Sequence, residues 1–437
     1  MNSINLKRTF LITLFITLFC RSFNWYSTTF VPYTAVYLMF IALWGLLIIF
    51  NWNFDSVSYK RPAGFLILMI ALYFIIWGFS NIKDLDVADT MDVMLRSLLM
   101  VLFVFVCVYW IHRLDCLHDA IKVGYYAFTA LMLLSFMLHV NEISLKRTIS
   151  SFWESSESLR YRVLFGFGFN NIAAEYSMTS ILLSIYMIAN VSKNKPNRKL
   201  KIFGFLFLDL IMLFIILANN SRGTLLAFLA VVFLVIFCRI NKRATLSQLF
   251  KRLTFLVIIG VSLILIYMSI KGLTFNDILL KMNRVHFLSN IEALKAGNKW
   301  LMGLGNISGV YFRDGNMLYG VKLDYMETFY VAVFVTSGII GCIWIFIVLY
   351  TIIHSVLLQK RTTLTTWILI VLGYMLFLSI FEGFLFSASY ITATFFLALV
   401  LSYICISRPE FAKHKKYRIV KVIKTPVIEE QNSWIQK

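Results

Sequence analysis

The chain has 437 residues, 60% of them hydrophobic and 14% charged, with a formal net charge of +20 and a mean hydropathy of +0.80. A soluble protein carries roughly a quarter of its residues as charged groups, so this chain cannot cover itself in water, which excludes secreted, disulfide-framed and disordered classes. Apolar runs of about 20 residues recur along it, each long enough to cross a bilayer as a helix. They point to an all-α polytopic integral membrane protein rather than a barrel of alternating strands.

In chain order the runs place about twelve transmembrane helices, at 9–20, 30–50, 63–79, 95–111, 120–140, 171–190, 202–218, 224–238, 253–270, 329–350, 364–380 and 388–405. Lys7 and Arg8 precede the first run, which ends at Cys20. No small-x-small cleavage site follows, and Phe19 is too bulky for lipoprotein processing, so the run reads as an uncleaved helix. The charge of +20, a nucleic-acid signal in a soluble chain, is here distributed by side of the membrane. One side holds 26 of the 41 lysines and arginines against six acidic residues, which by the positive-inside rule makes it cytoplasmic and puts both termini there. The six cysteines fall in spans or on that side, and no CxxC occurs, so neither disulfides nor zinc are implied.

The sequence divides into helices 1–9 over 1–270, a periplasmic loop over 271–328, helices 10–12 over 329–405 and a basic cytoplasmic tail over 406–437. Residues 80–94 form an acidic outer loop with Asp84, Asp86, Asp89 and Asp92, and residues 141–162 a polar one with Lys146, Arg147, Arg160 and Arg162. The 271–328 segment exceeds the usual connection and should carry structure of its own. Within it Ile278, Leu279, Met282, Val285 and Leu288 recur at helical spacing, with Asp277, Lys281 and Arg284 on another face. That pattern predicts an amphipathic helix on the outer membrane surface, either a mere anchor or part of a site. Attraction to anionic lipid explains the tail, whose cations run from Lys413 to Lys424, without any partner.

No GxxxxGK[ST], HExxH or GxSxG motif is present, so an ATP-driven pump, a zinc peptidase and a serine hydrolase have no support. What remains are polar residues where a bilayer makes them costly. Asn171 opens a mid-chain span after Arg162 and the glycines Gly166 and Gly168, with Glu175 four residues on. This arrangement suits a carbohydrate-lined mouth, and helix packing explains the glycines equally well. Asn219-Asn220-Ser221-Arg222-Gly223 is a tight outer turn. Arg222 there would meet the headgroup of a lipid-linked substrate, through the planar fork with which a guanidinium binds phosphate, or simply snorkel from a helix end. Arg284 and His286 precede Gly303-Leu304-Gly305, and a second arginine at headgroup level could close around a diphosphate or lie on a solvated face. Asp324, Glu327 and Tyr330 lead into the span containing Gly338 and Gly341. A carboxylate at Glu327 suits a general base, and a salt bridge to one of the arginines is the compatible alternative. Asp209 and Glu382 are further acids at membrane depth, assigned only as interior-facing.

At these four places the chain resembles the bacterial O-antigen polymerase and O-antigen ligase superfamily. The shared features are the arginine and glycine approach before Asn171, the Ser221-Arg222-Gly223 turn, Arg284 followed by the Gly303-Leu304-Gly305 triplet, and the polar pair Glu327-Thr328 followed by Gly338 and Gly341. Order and topology agree over roughly residues 160–350. The resemblance implies a metal-independent, inverting glycosyltransferase of the GT-C type, without cofactor, acting at the periplasmic face on undecaprenyl-diphosphate-linked oligosaccharide. It assigns Arg222, Arg284 and Glu327 to catalysis, and Arg162, Asn171, Asp324, Tyr330 and His286 to substrate binding. Ligases carry a histidine and a small polar residue where this chain has Glu327-Thr328, a departure that favours the polymerase and leaves His286 as a substitute base.

The expected function is therefore polymerisation of lipid-linked repeat units in the inner membrane, with a chain-length regulator as a partner and no nucleic acid. The alternatives are a ligase that passes the chain to lipid A-core, and a flippase or transporter. The last predicts repeats and midplane sites, where this sequence shows a one-sided loop and outer-edge arginines.

Overall fold

The computed structural model describes residues 3–22, 33–50, 61–79, 87–152, 161–167, 171–192, 196–272, 287–305, 317–323, 328–383, 385–386 and 390–406. Among these, a helix lies over each of the twelve apolar runs: α1 (Ser3–Ser22), α2 (Tyr33–Phe50), α3 (Arg61–Phe79), α4 (Val87–Arg113), α5 (Leu117–His139), α7 (Ile172–Ala189), α8 (Arg198–Ala218), α9 (Arg222–Ile240), α10 (Leu246–Lys271), α12 (Phe329–Leu357), α13 (Thr363–Leu378) and α14 (Ile391–Ile406). Two shorter α-helices, α6 (Leu145–Ser151) and α11 (Phe287–Ala296), a 3-10 turn (Val140–Glu142) and a two-stranded hairpin, β1 (Met317–Leu318) with β2 (Val321–Lys322), lie in the described connections. Eight of the helices (α3, α4, α5, α7, α8, α9, α10 and α12) are long and apolar enough to cross a membrane, and α2, α13 and α14 contain shorter apolar stretches. The described residues are nearly all helical, and the protein is a multi-pass membrane protein.

Side-chain exposure shows which solvent the helices meet. In α10 the consecutive residues Phe255, Leu256, Val257 and Ile258 are all exposed, and at 100° per residue they face every side of the helix. Water penalises such a surface, whereas lipid tails solvate it. By contrast α7 and α14 are buried along almost their whole length. α7 packs against α5 and α8, and α14 against α4, α3 and α5, so these two form the centre of the bundle. α14 fills its place with apolar bulk such as Phe395, Phe396 and Leu399 and buries Thr392, Thr394 and Ser402, whereas α7 buries a carboxyl, Glu175, together with Ser177, Thr179, Ser180 and Ser184. Some of that polarity is satisfied between helices, since Ser184 Oγ donates to Asp209 Oδ2 of α8 at 2.6 Å.

The sequence predicts one continuous span at 329–350, but α12 is broken at Gly338, whose φ is +64° and ψ −162°. A break inside a membrane frees backbone groups that lipid cannot satisfy. Here the 300–305 segment satisfies them. Leu304 N–H donates to Val335 O and Gly305 N–H to Thr336 O, both at 2.8 Å, while Ile339 and Ile340 N–H donate to Trp300 O at 3.0 Å and Leu301 O at 3.1 Å. The approach is backbone on backbone: a Cβ on Gly303 would lie 2.4 Å from Thr336 O, and one on Gly338 2.5 Å from Leu301 O. Trp77 of α3 locks the joint, with Nε1 reaching Met302 O and Ser337 O, each at 3.0 Å.

The described part of the large loop packs on this joint. Ala293 and Leu294 of α11, Leu304, Leu318, Leu323 and Val335 form a small second core. The amphipathic helix expected over 277–288 lies outside the described residues up to 286, and α11 begins directly after it. The basic tail beyond 406 and the first half of the acidic 80–94 loop also lie outside the described residues.

Candidate functional site

The Arg222 end of the bundle is built around the turn between α8 and α9. Asn219 and Asn220 are completely buried there, and Asn220 takes a left-handed backbone with φ +54°, a conformation asparagine tolerates better than most residues. Their amides hold a second strand of chain. Asn219 Nδ2 donates to Val163 O at 3.0 Å, and Val163 N–H returns a bond to Ala218 O at 3.1 Å. Asn220 Nδ2 reaches Tyr161 O at 3.3 Å and Ser151 Oγ at 3.4 Å. Residues 161 and 163 are thus clasped on both sides of Arg162.

The clasp sets Arg162 beside Arg222, the first residue of α9, near enough for the two charges to act on each other. Arg222 is further positioned by Phe152, whose carbonyl accepts from Nη2 and whose ring lies 5.5 Å beneath the guanidinium carbon. Ser221 is the N-cap of α9, so the positive end of the helix dipole adds to the two arginines. Like charges gathered this way favour an anion between them, and the bidentate guanidinium geometry suits phosphate oxygens.

Acidic groups adjoin this positive corner. Glu382 lies in the connection between α13 and α14 and is 8% exposed. The glycine after Arg222 packs against this connection: a Cβ on Gly223 would stand a tight 3.1 Å from Phe381 Cβ and in ordinary contact, 3.8 Å, with Glu382 Oε1. Asn171, the N-cap residue of α7, donates through Nδ2 to Glu382 Oε1 at 2.5 Å. One turn along α7, Glu175 is fully buried, and neither of its oxygens has a hydrogen-bond partner among the described residues. Glu382 acts on Glu175 electrostatically, and both act on the buried Tyr374 of α13. A carboxyl in such a place costs free energy unless a cation, a proton or a donor from substrate meets it.

Of the predicted site residues, the structure therefore brings together Arg222, Arg162 and Asn171. Tyr330 is 42% exposed; its hydroxyl donates to Leu376 O at 2.9 Å, and the neighbouring Phe329 N–H donates to Ser379 O at 3.1 Å. These bonds tie the start of α12 to the end of α13, three residues before Glu382. Glu327, Arg284, His286 and Asp324 lie outside the described residues. The triplet at Gly303 and the glycine at Gly338 form the broken-helix joint, and Gly341 packs beside it against Ser337 and Trp77. Glu175 and Glu382 stand out in sequence as acids at membrane depth, but their pairing joins residues more than 200 positions apart. Among the described residues, no three His, Cys, Asp or Glu side chains are grouped to hold a metal ion. No protein-family model and no curated protein matches this chain closely enough to assign it a family.

Proposed function

We propose that this chain is an O-antigen or related surface-polysaccharide polymerase of the bacterial inner membrane. In this reading twelve spans of GT-C type place both termini in the cytoplasm and the Arg222 end at the periplasmic face. The observation that carries it is the clasp of Asn219 and Asn220 that holds residues 161 and 163, and with them Arg162, against the turn leading into Arg222, with Asn171 and Glu382 in contact beside them. Two arginines at one corner, next to a half-buried amide and a buried acid, suit a substrate that joins a diphosphate to a sugar.

The reaction is a displacement at an anomeric carbon. A hydroxyl of the incoming lipid-linked repeat unit attacks that carbon of the growing chain, and the bond to the diphosphate oxygen breaks. The diphosphate leaves on its undecaprenyl carrier while the hydroxyl proton passes to a base. Arg222 and Arg162, with Arg284 from the large loop, neutralise the charge that builds on the departing diphosphate, the kind of electrostatic stabilisation that commonly dominates catalysis. Glu327 is the base, and Asn171 with Glu382 orients sugar hydroxyls at the mouth.

Deletion of the gene tests the reading through the cell's lipopolysaccharide. Without its polymerase a cell still ligates single repeat units, so the product is core plus one unit and no ladder. Bare core with accumulated lipid-linked chains would instead make the protein the ligase, and an unchanged ladder would reject both.

A further inference from the structure

At the opposite end of the bundle, a cleft of about 1150 Å³ opens between α7, α9, α10, α12 and α13. Its polar rim is built from the α9–α10 and α12–α13 turns. Arg361 fixes the two turns to each other: its guanidinium donates to Asn241 O at 2.5 Å, Ala244 O at 2.6 Å and Cys238 O at 2.8 Å. With that arginine spent on structure, Arg239, Lys242, Arg243 and Lys360 still line the cleft, all four exposed. None of the four makes an ion pair among the described residues, and the lining contains no Asp or Glu.

Two helix N-termini add to this positive charge. α10 begins at the rim with the capping box of Thr245 and Gln248, and α13 begins there with Thr362 accepting from Thr365 N–H. Each cap satisfies one amide near the third helical position and leaves the first two amides of its helix for another acceptor. Leu246, Ser247 and Thr363, which carry three of those four amides, line the cleft with the capping residues Thr245 and Thr362. Four cations and two helix ends around one space repel each other until an anion enters.

The inner wall is of the opposite character. Ile185 and Ala189 of α7, Val235 of α9 and Ile370 of α13 line it, so the space combines a cationic rim with an apolar interior. A soluble anion would use the rim alone. A phospholipid uses both parts, its phosphate at the rim and the start of its acyl chains along the wall, in the way basic pockets between membrane helices take anionic headgroups.

From these features we infer that the cleft is a binding site for an anionic phospholipid of the leaflet bordering the basic ends of the helices, held through its phosphate. The site lies at the far end from Arg222 and does not depend on the polymerase reading.

The test uses the full-length protein in mixed micelles of phosphatidylglycerol and phosphatidylcholine, with bound lipid counted by native mass spectrometry. The wild type retains phosphatidylglycerol over phosphatidylcholine by about tenfold. The triple variant Arg239→Gln, Lys242→Gln, Lys360→Gln loses that preference, and the control Lys199→Gln, Lys201→Gln, Lys251→Gln, which removes the same charge elsewhere, keeps it. No preference in the wild type, or equal loss in both variants, overturns the site. Displacement of the lipid by millimolar inorganic phosphate would make it a site for a soluble anion and overturn the lipid assignment. A second measurement needs no variant. In phosphatidylglycerol nanodiscs Lys242 and Lys360 acylate several-fold more slowly than in phosphatidylcholine nanodiscs, while Lys199 and Lys201 do not. Equal protection of all four lysines overturns the proposal.

Discussion

Asn171 and Glu382 meet at 2.5 Å across 211 positions of sequence, amide nitrogen to carboxylate oxygen. The bond joins the start of the central helix α7 to the α13–α14 connection, and Glu175 is buried one turn below it. Hydrogen bonds to a charged acceptor contribute about 1.5–3 kcal/mol, and a buried acceptor left alone costs at least as much. Asn171→Ala should therefore cut polymer output by about tenfold or more, read as ladder intensity at matched membrane levels. Asn171→Asp should be worse, since it sets a third carboxyl against Glu382 and Glu175. Equal ladders from Asn171→Asp and the wild type would show that the contact has no part in function.

Arg222 and Arg162 are held by different means, which gives them separable tests. Ala at either should abolish the ladder with the protein still in the membrane, and Arg284→Ala should do the same. Lys at these positions should rescue poorly, because an ammonium has no bidentate fork. Asn219→Ala removes the amide that fixes Val163 and leaves both arginines in the sequence. It should weaken polymerisation while Arg222→Ala abolishes it. Normal ladders from Arg222→Ala and Arg162→Ala would remove the diphosphate site.

The joint between the large loop and α12 makes a prediction about stability. Gly338 has φ +64° and backbone atoms of residues 300 and 301 within 2.6 Å of where a Cβ would be. Gly338→Ala and Gly303→Ala should each lower the Tm of detergent-purified protein by several degrees, since neither backbone can move without breaking the bonds that close the helix break. Gly45→Ala and Gly204→Ala have no atom within 4 Å of the added carbon and should leave Tm unchanged or slightly raised, by the usual preference of a helix for alanine. Equal effects at all four would mean the joint contributes nothing.

What the sequence alone makes legible follows from the range of each interaction. Span positions are local sums of hydropathy, so a helix lies over every apolar run. The break at Gly338 is invisible to that sum, because the residues on both sides are equally apolar and the partners of the freed backbone come from residues 300–305. The Gly303-Leu304-Gly305 triplet and the glycines at 338 and 341 read as separate motifs, and the structure joins the segment of the triplet to the break at Gly338, with Gly341 against Ser337 and Trp77. Arg222 was legible as an arginine at a span end. That Arg162 stands beside it depends on the side-chain amides of Asn219 and Asn220, which in sequence are only turn formers. Glu175 and Glu382 were visible singly, and a pair so distant cannot be read from spacing.

The last prediction locates the base. Glu327 precedes Thr328, the N-cap of α12, and Phe329 is bonded to the α13 end near Glu382, so two glutamates compete for the role. Gln keeps the size and hydrogen bonding of Glu but takes no proton at neutral pH. If Glu327 accepts the proton, Glu327→Gln should reduce polymer formation by about 10²-fold or more, giving core plus one unit. Glu382→Gln should fall by much less, because its bond from Asn171 survives in a weaker neutral form. The reverse order, with Glu382→Gln abolishing the ladder and Glu327→Gln sparing it, would move the base to Glu382 and leave the arginine assignment intact. If both variants make normal ladders while His286→Gln does not, the imidazole is the base, and the two carboxyls serve the shape of the mouth alone.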